Sequence, residues 1–155
     1  MSGNTVTDET GINNGTAIGT IITDGKFGKA RYSNGQSDYI TVPDNPSLRN
    51  LSQITIEAWV HPTGFDLSCW AVDEAIVEKG FTIDGRLHGY TLHMVRNQDD
   101  GCAGASSFNA IQFNLGFEDG GRIAVSGSNW HLPNNWYYVV GTYDGSNARI
   151  YVNGV

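Results

Sequence analysis

Apolar and polar residues alternate with a period of two through most of the chain. Residues 54–61 are the clearest stretch. Ile54, Ile56, Ala58 and Val60 point one way, while Thr55, Glu57, Trp59 and His61 point the other, as in a strand with one buried face. Residues 111–117 repeat the pattern, with Ile111, Phe113, Leu115 and Phe117 set against Gln112, Asn114 and Gly116. In residues 122–126, Ile123 and Val125 share one side. Asp144-Gly145-Ser146-Asn147 separates runs 137–143 and 149–155, and Glu118-Asp119-Gly120-Gly121 separates 111–117 from 122–126. Both are hairpin-turn sequences. Runs 75–80 and 90–95 are expected to pair as a hairpin around residues 81–89. No window sustains a 3.6-residue period, so the chain reads as all-β, with antiparallel strands in a sandwich or barrel. The first 20 residues, rich in Gly, Asn, Thr and Asp, read as a loosely ordered strand or tail. Residues 21–155 read as one domain.

Composition narrows the function classes. At 155 residues and 39% hydrophobic content the chain can bury one core. A net charge of −7 without any cluster of Lys or Arg argues against nucleic acid and anionic membrane surfaces. The apolar runs are far too short for a membrane span. The start, Met1-Ser2-Gly3-Asn4-Thr5, has neither the charged nor the apolar region of a secretory signal. This fits a domain within a longer exported chain, placed outside the cell or on its surface. It also fits a virion protein made in the cytoplasm.

A set of segments in order carries a resemblance. They are Asp24-Gly25-Lys26-Phe27-Gly28-Lys29-Ala30, Asp38-Tyr39-Ile40-Thr41-Val42-Pro43-Asp44 and Ile54-Thr55-Ile56-Glu57-Ala58-Trp59-Val60. Ile76-Val77-Glu78-Lys79-Gly80 and Gly89-Tyr90-Thr91-Leu92 follow, then Asn135-Trp136-Tyr137-Tyr138-Val139-Val140-Gly141-Thr142-Tyr143-Asp144-Gly145 running into Arg149-Ile150-Tyr151-Val152-Asn153-Gly154. From about Asp24 to Val155 the chain resembles the laminin-G-like family of concanavalin A-like lectins and glucanases. The resemblance implies an antiparallel two-sheet jelly-roll sandwich. Its members include adhesion modules, glycan binders and accessory domains of secreted enzymes, so the fold alone names no activity. Members normally continue past the Tyr-Val-Asn-Gly strand with a further strand that pairs back near the N-terminus. The resemblance therefore implies that the usual last strand lies outside this sequence. The expectation is a fragment of a longer polypeptide, or an edge capped by another chain through strand addition.

The residues that could carry chemistry point to recognition rather than catalysis. Glucanases on related sandwiches use carboxylates spaced Glu-x-Asp-x-Glu, and retaining chemistry needs two carboxyls about 5 Å apart. Here Glu74-Ala75-Ile76-Val77-Glu78 has Ile76 in the centre, and the outer pair would sit about 13 Å apart in a regular strand. No Gly-x-Ser-x-Gly elbow is present, neither cysteine neighbours a histidine, and His61, His88, His93 and His131 lack metal-ligand spacing. The chain is therefore expected not to be an enzyme. A sugar-binding set is readable instead. Glu57, Trp59 and His61 leave the non-core side of one strand, Gln112 and Asn114 that of another, and His93 joins them. An indole packs on the C–H patches of a pyranose, and amides and carboxylates satisfy its hydroxyls.

Calcium is the cofactor such sandwiches raise. Asp38, Asp44, Asp84, Asp99, Asp100, Glu118 and Asp119 are acidic loop positions. None forms an EF-hand pattern, and turn-forming Asp accounts for them, so no ligands are assigned. Cys69 and Cys102 are expected to form a disulfide. If Gly80 faces Tyr90 in the hairpin, the two cysteines fall nearly opposite each other beyond its ends. The bond would imply an oxidising compartment. The resulting reading is a non-catalytic recognition module that binds carbohydrate in adhesion or as an accessory domain. Its alternatives are a structural or assembly domain making protein contacts and, third, a glucanase-like hydrolase.

Overall fold

Strands form where the two-residue alternation places them, and their pairing divides the chain. The computed structural model describes residues 4–49, 52–64, 73–83, 86–95, 108–117, 119–131 and 133–155. They fall into two units, Met1–Arg49 and Asn50–Val155. The first holds β1 (Thr5–Val6), β2 (Gly15–Ile18), β3 (Ile21–Asp24), β4 (Lys29–Tyr32), β5 (Tyr39–Thr41) and a 3-10 turn at Pro46–Leu48. Strands β1, β2 and β5 form one antiparallel sheet, and β3 and β4 pair as a separate hairpin. The stretch expected as a loose strand or tail thus contains two paired strands. The Asp8 carboxylate accepts the N–H groups of Ile12 and Asn13, at 3.2 and 3.1 Å, and closes the loop between them.

The second unit is the sandwich. It contains β6 (Ile54–Val60), β7 (Asp73–Ile83), β8 (Arg86–Val95), β9 (Phe108–Gly116), β10 (Arg122–His131), β11 (Tyr137–Tyr143) and β12 (Ala148–Val152). One antiparallel sheet runs β10-β9-β8-β7 and the other β12-β11-β6. Their inner faces meet in one core. Leu92, Ile111 and Phe113 from the four-stranded sheet and Val139 from the three-stranded sheet are fully buried. Each such side chain contributes about 1.5–3 kcal/mol relative to exposure. Ile54, Ile56, Ala58 and Val60 pack against this core from β6, and Ile150 and Val152 do so from β12. Local turn chemistry shapes the β11–β12 connection: the Asp144 carboxylate accepts the N–H groups of Ser146 and Asn147, at 2.9 and 2.7 Å, and pairs with Arg149 at 2.8 Å. After β12, Asn153 and Gly154 take φ of 53° and 86°, as a tight hairpin turn requires.

The β7–β8 hairpin corrects one expectation. Gly80 faces Gly89 rather than Tyr90, and both strands run beyond the expected 75–80 and 90–95. A bulge shifts the register again, because Ala75 pairs with His93 while Val77 pairs with Leu92. Ile76 is the extra residue, and both Ile76 and Val77 lie against the core. The cysteine pairing was read from the Gly80–Tyr90 register; Cys69 and Cys102 themselves lie outside the described residues.

Candidate functional site

The residues expected to form one ligand face are divided between two sheets that turn their outer faces in opposite directions. Glu57, Trp59 and His61 stay together on the three-stranded sheet. Strand β6 alternates strictly, half-buried at Ile54, Ile56, Ala58 and Val60 and exposed at Thr55, Glu57 and Trp59. Its register with β11 sets Trp59 opposite Tyr138, Glu57 opposite Val140 and Thr55 opposite Thr142. The next strand adds Tyr151 beside Val140 and Arg149 beside Thr142.

Aromatic rings line this face. Trp59 is 40% exposed and stacks on Tyr138, with centroids 5.2 Å apart and planes 28° apart. Beyond the strand ends His61 meets Trp136 at 4.9 Å. The Tyr138 hydroxyl donates to Glu57 Oε2 at 2.5 Å. That bond to a carboxylate raises the phenol's pKa, because deprotonation would break it and set two anions together; desolvation adds to the shift. The Tyr138 backbone is held at both ends. Its N–H donates to Asn153 Oδ1 at 2.9 Å, and its carbonyl accepts the Asn153 N–H at 2.8 Å.

His93, Gln112 and Asn114 lie on the outer face of the four-stranded sheet. His93 faces Gln112 across the β8–β9 ladder, and Thr91 faces Asn114. Asn114 is 3% exposed, as is Thr91. Asn114 Nδ2 donates to Thr91 Oγ1 and Gln112 Oε1, both at 3.1 Å, while its Oδ1 accepts from Arg122 at 3.1 Å. Gln112 Nε2 donates in turn to Ser126 Oγ at 3.0 Å. Facing away from the core therefore does not make Asn114 available. Its amide is engaged at both ends, and its role is to tie three strands together. Glycines Gly80, Gly89 and Gly116 form a row across the same face, ending at Arg122.

A family model described as Laminin_G_3, of the concanavalin A-like lectin/glucanases superfamily, matches residues 34–155. The chain belongs to that family. No curated protein and no solved structure matches it. The match and the two packed antiparallel sheets agree on a concanavalin A-like sandwich.

In this laminin-G-like sandwich the bulge at Ile76 decides the placement of the one glucanase-like carboxylate pair. Glu74 pairs with Met94, which faces the core, and Glu78 pairs with Thr91, which faces outward. An unbulged strand would put positions 74 and 78 on the same face. The extra residue sends them to opposite faces.

Among the described residues no group of three or more His, Cys, Asp and Glu side chains could hold a metal ion. Of the acidic loop positions, Asp44 pairs with Arg49, Asp38 accepts the Asn34 N–H, and Asp119 accepts the Gly121 N–H. Asp84, Asp99, Asp100 and Glu118 lie outside the described residues. No described helix is long and apolar enough to cross a membrane.

Sequence reasoning missed Tyr138, Trp136 and Tyr151 as companions of Trp59. The alternation in 137–143 already set Tyr138 opposite the core side, but only the β6–β11 register shows which residue it meets.

Proposed function

We propose that the chain is a non-catalytic carbohydrate-recognition module and that the outer face of the β12-β11-β6 sheet carries the ligand. One observation supports this above others: Trp59, exposed and stacked on Tyr138, stands beside the carboxylate that Tyr138 holds in place. An indole offers its π-face to sugar C–H groups, and a fixed carboxylate accepts from hydroxyls beside it. The placement of Glu74 and Glu78 on opposite faces favours recognition over glucanase chemistry. Adhesion, or service as an accessory domain of an exported chain, is the role such a module fills.

The test is Trp59→Ala on a glycan array, run beside a melting curve. The expected result is loss of binding with a stability change well below the ~3–5 kcal/mol of a fully buried aromatic. A large fall in melting temperature would make Trp59 a packing residue. A wild-type chain that binds no glycan but captures a protein through this face would establish the assembly reading instead.

A further inference from the structure

The ligand face does not end at Trp59. Outward-pointing positions along β6 and β11 recur every second residue, about 6.8 Å apart. Two such steps from the Trp59–Tyr138 pair lie Thr55 and Thr142, directly opposite each other. They border a shallow depression of about 380 Å³, lined by Gln53, Ile54, Thr55, Thr142, Tyr143 and Asp144.

Its polar groups are not equivalent. The Asp144 carboxylate is occupied by Arg149 and by the N–H groups of Ser146 and Asn147, which hold its pKa well below the ordinary carboxylate range. The Gln53 amide donates to the Asp144 carbonyl at 3.2 Å. Neither threonine hydroxyl has a hydrogen-bond partner among the described residues. Each can donate one bond and accept two. Between this depression and the aromatic pair lies the row of Glu57, Val140 and Tyr151.

We propose that Thr55 and Thr142 form a second sugar subsite, so that the face binds a neutral linear oligosaccharide lying along the strands, with one unit on Trp59 and another over the threonines. This rests on the carbohydrate reading above. The two subsites are about 14 Å apart, a distance one monosaccharide cannot bridge and a short oligosaccharide can. The charge on the face selects the ligand class. Glu57 stands at the centre of the stripe, and Asp144 at its end is paired with Arg149. A carboxylated or sulfated sugar would meet like charge at its middle unit.

The experiment uses the full chain on an array of neutral and acidic linear oligosaccharides, each at chain lengths from one to six units. Titration calorimetry of the best series follows, with wild type, Trp59→Ala and the double variant Thr55→Val with Thr142→Val. Affinity should rise with length until both subsites are spanned, and the hits should be neutral. The double variant should lose about tenfold on the longer ligands, as two hydrogen bonds would, and nothing on the shortest. Valine is close to threonine in shape and suits a strand, and a melting curve confirms that the fold persists. Equal affinity for a monosaccharide and a longer chain, preference for acidic glycans, or a double variant indistinguishable from wild type overturns the second subsite and leaves the Trp59 reading standing. If no glycan binds at all, both fall together.

Discussion

Phe113 of β9 lies against Gly141 of β11, so close that a methyl group at position 141 would come within 2.7 Å of the ring. Gly141 pairs with Ile56 on one side and Ile150 on the other. The missing side chain on one sheet thus makes room, on the other, for the largest fully buried side chain among the described residues. Gly141→Ala should destabilise the sandwich by about 1–3 kcal/mol, the usual cost of overpacking a filled core. Chemical denaturation of the variant checks it. An unchanged midpoint would mean that the sheets separate at no cost.

Gly80 and Gly89 face each other with φ of 132° and 134°, a region that side-chain-bearing residues rarely adopt. A Cβ at Gly80 would come within 2.1 Å of the His88 carbonyl oxygen, and one at Gly89 within 2.0 Å of the Lys79 carbonyl oxygen. Backbone cannot move aside as a flexible side chain can. Gly89→Ala should cost at least about 1–3 kcal/mol in backbone strain. Amide hydrogen exchange should show the loss concentrated in the β7–β8 hairpin; full protection there would contradict it.

Asn114 is the hub of a buried polar network rather than a surface recognition residue. Asn114→Ala should cost about 1–3 kcal/mol, because it removes the amide that Thr91, Gln112 and Arg122 all share. Glycan binding through the opposite sheet should survive. If Asn114→Ala left stability intact and abolished binding, the ligand face would have to be moved to the four-stranded sheet.

The Tyr138–Glu57 bond has a pH signature. Since the folded phenol's pKa is raised, chiefly by the hydrogen bond to Glu57, the stability it contributes is fully present below the ordinary phenol range. That contribution is lost as pH rises through the folded value. Glu57→Gln removes the charge, so Tyr138 should titrate at lower pH and stability should fall less across the alkaline range. With seven tyrosines in the chain, the ultraviolet titration is read as the difference from a Tyr138→Phe protein. An identical Tyr138 titration in Glu57→Gln would show that the bond is not formed in solution.

Much of this was legible in the sequence because side-chain direction along a strand is a local property. Ile54, Ile56, Ala58 and Val60 face the core and Glu57 and Trp59 face away, as their parity demanded. Asn153-Gly154 forms its tight turn because these two residue types tolerate positive φ, whatever surrounds them. Which strand neighbours which is not local. Parity set both Trp59 and Asn114 outward, yet only the pairing of β6 with β11 and of β9 with β8 and β10 placed them on different sheets. Nor does parity measure exposure. Asn114 is buried and hydrogen-bonded at both ends of its amide, while Trp59, equally outward, keeps part of its surface in solvent. The bulge at Ile76 is the sharpest case: a single extra residue, set by how β7 meets β8 and the core, reverses the relation of Glu74 to Glu78 that their spacing implies. Periodicity follows from backbone geometry within one strand, whereas register and sheet membership follow from contacts between residues distant in the chain.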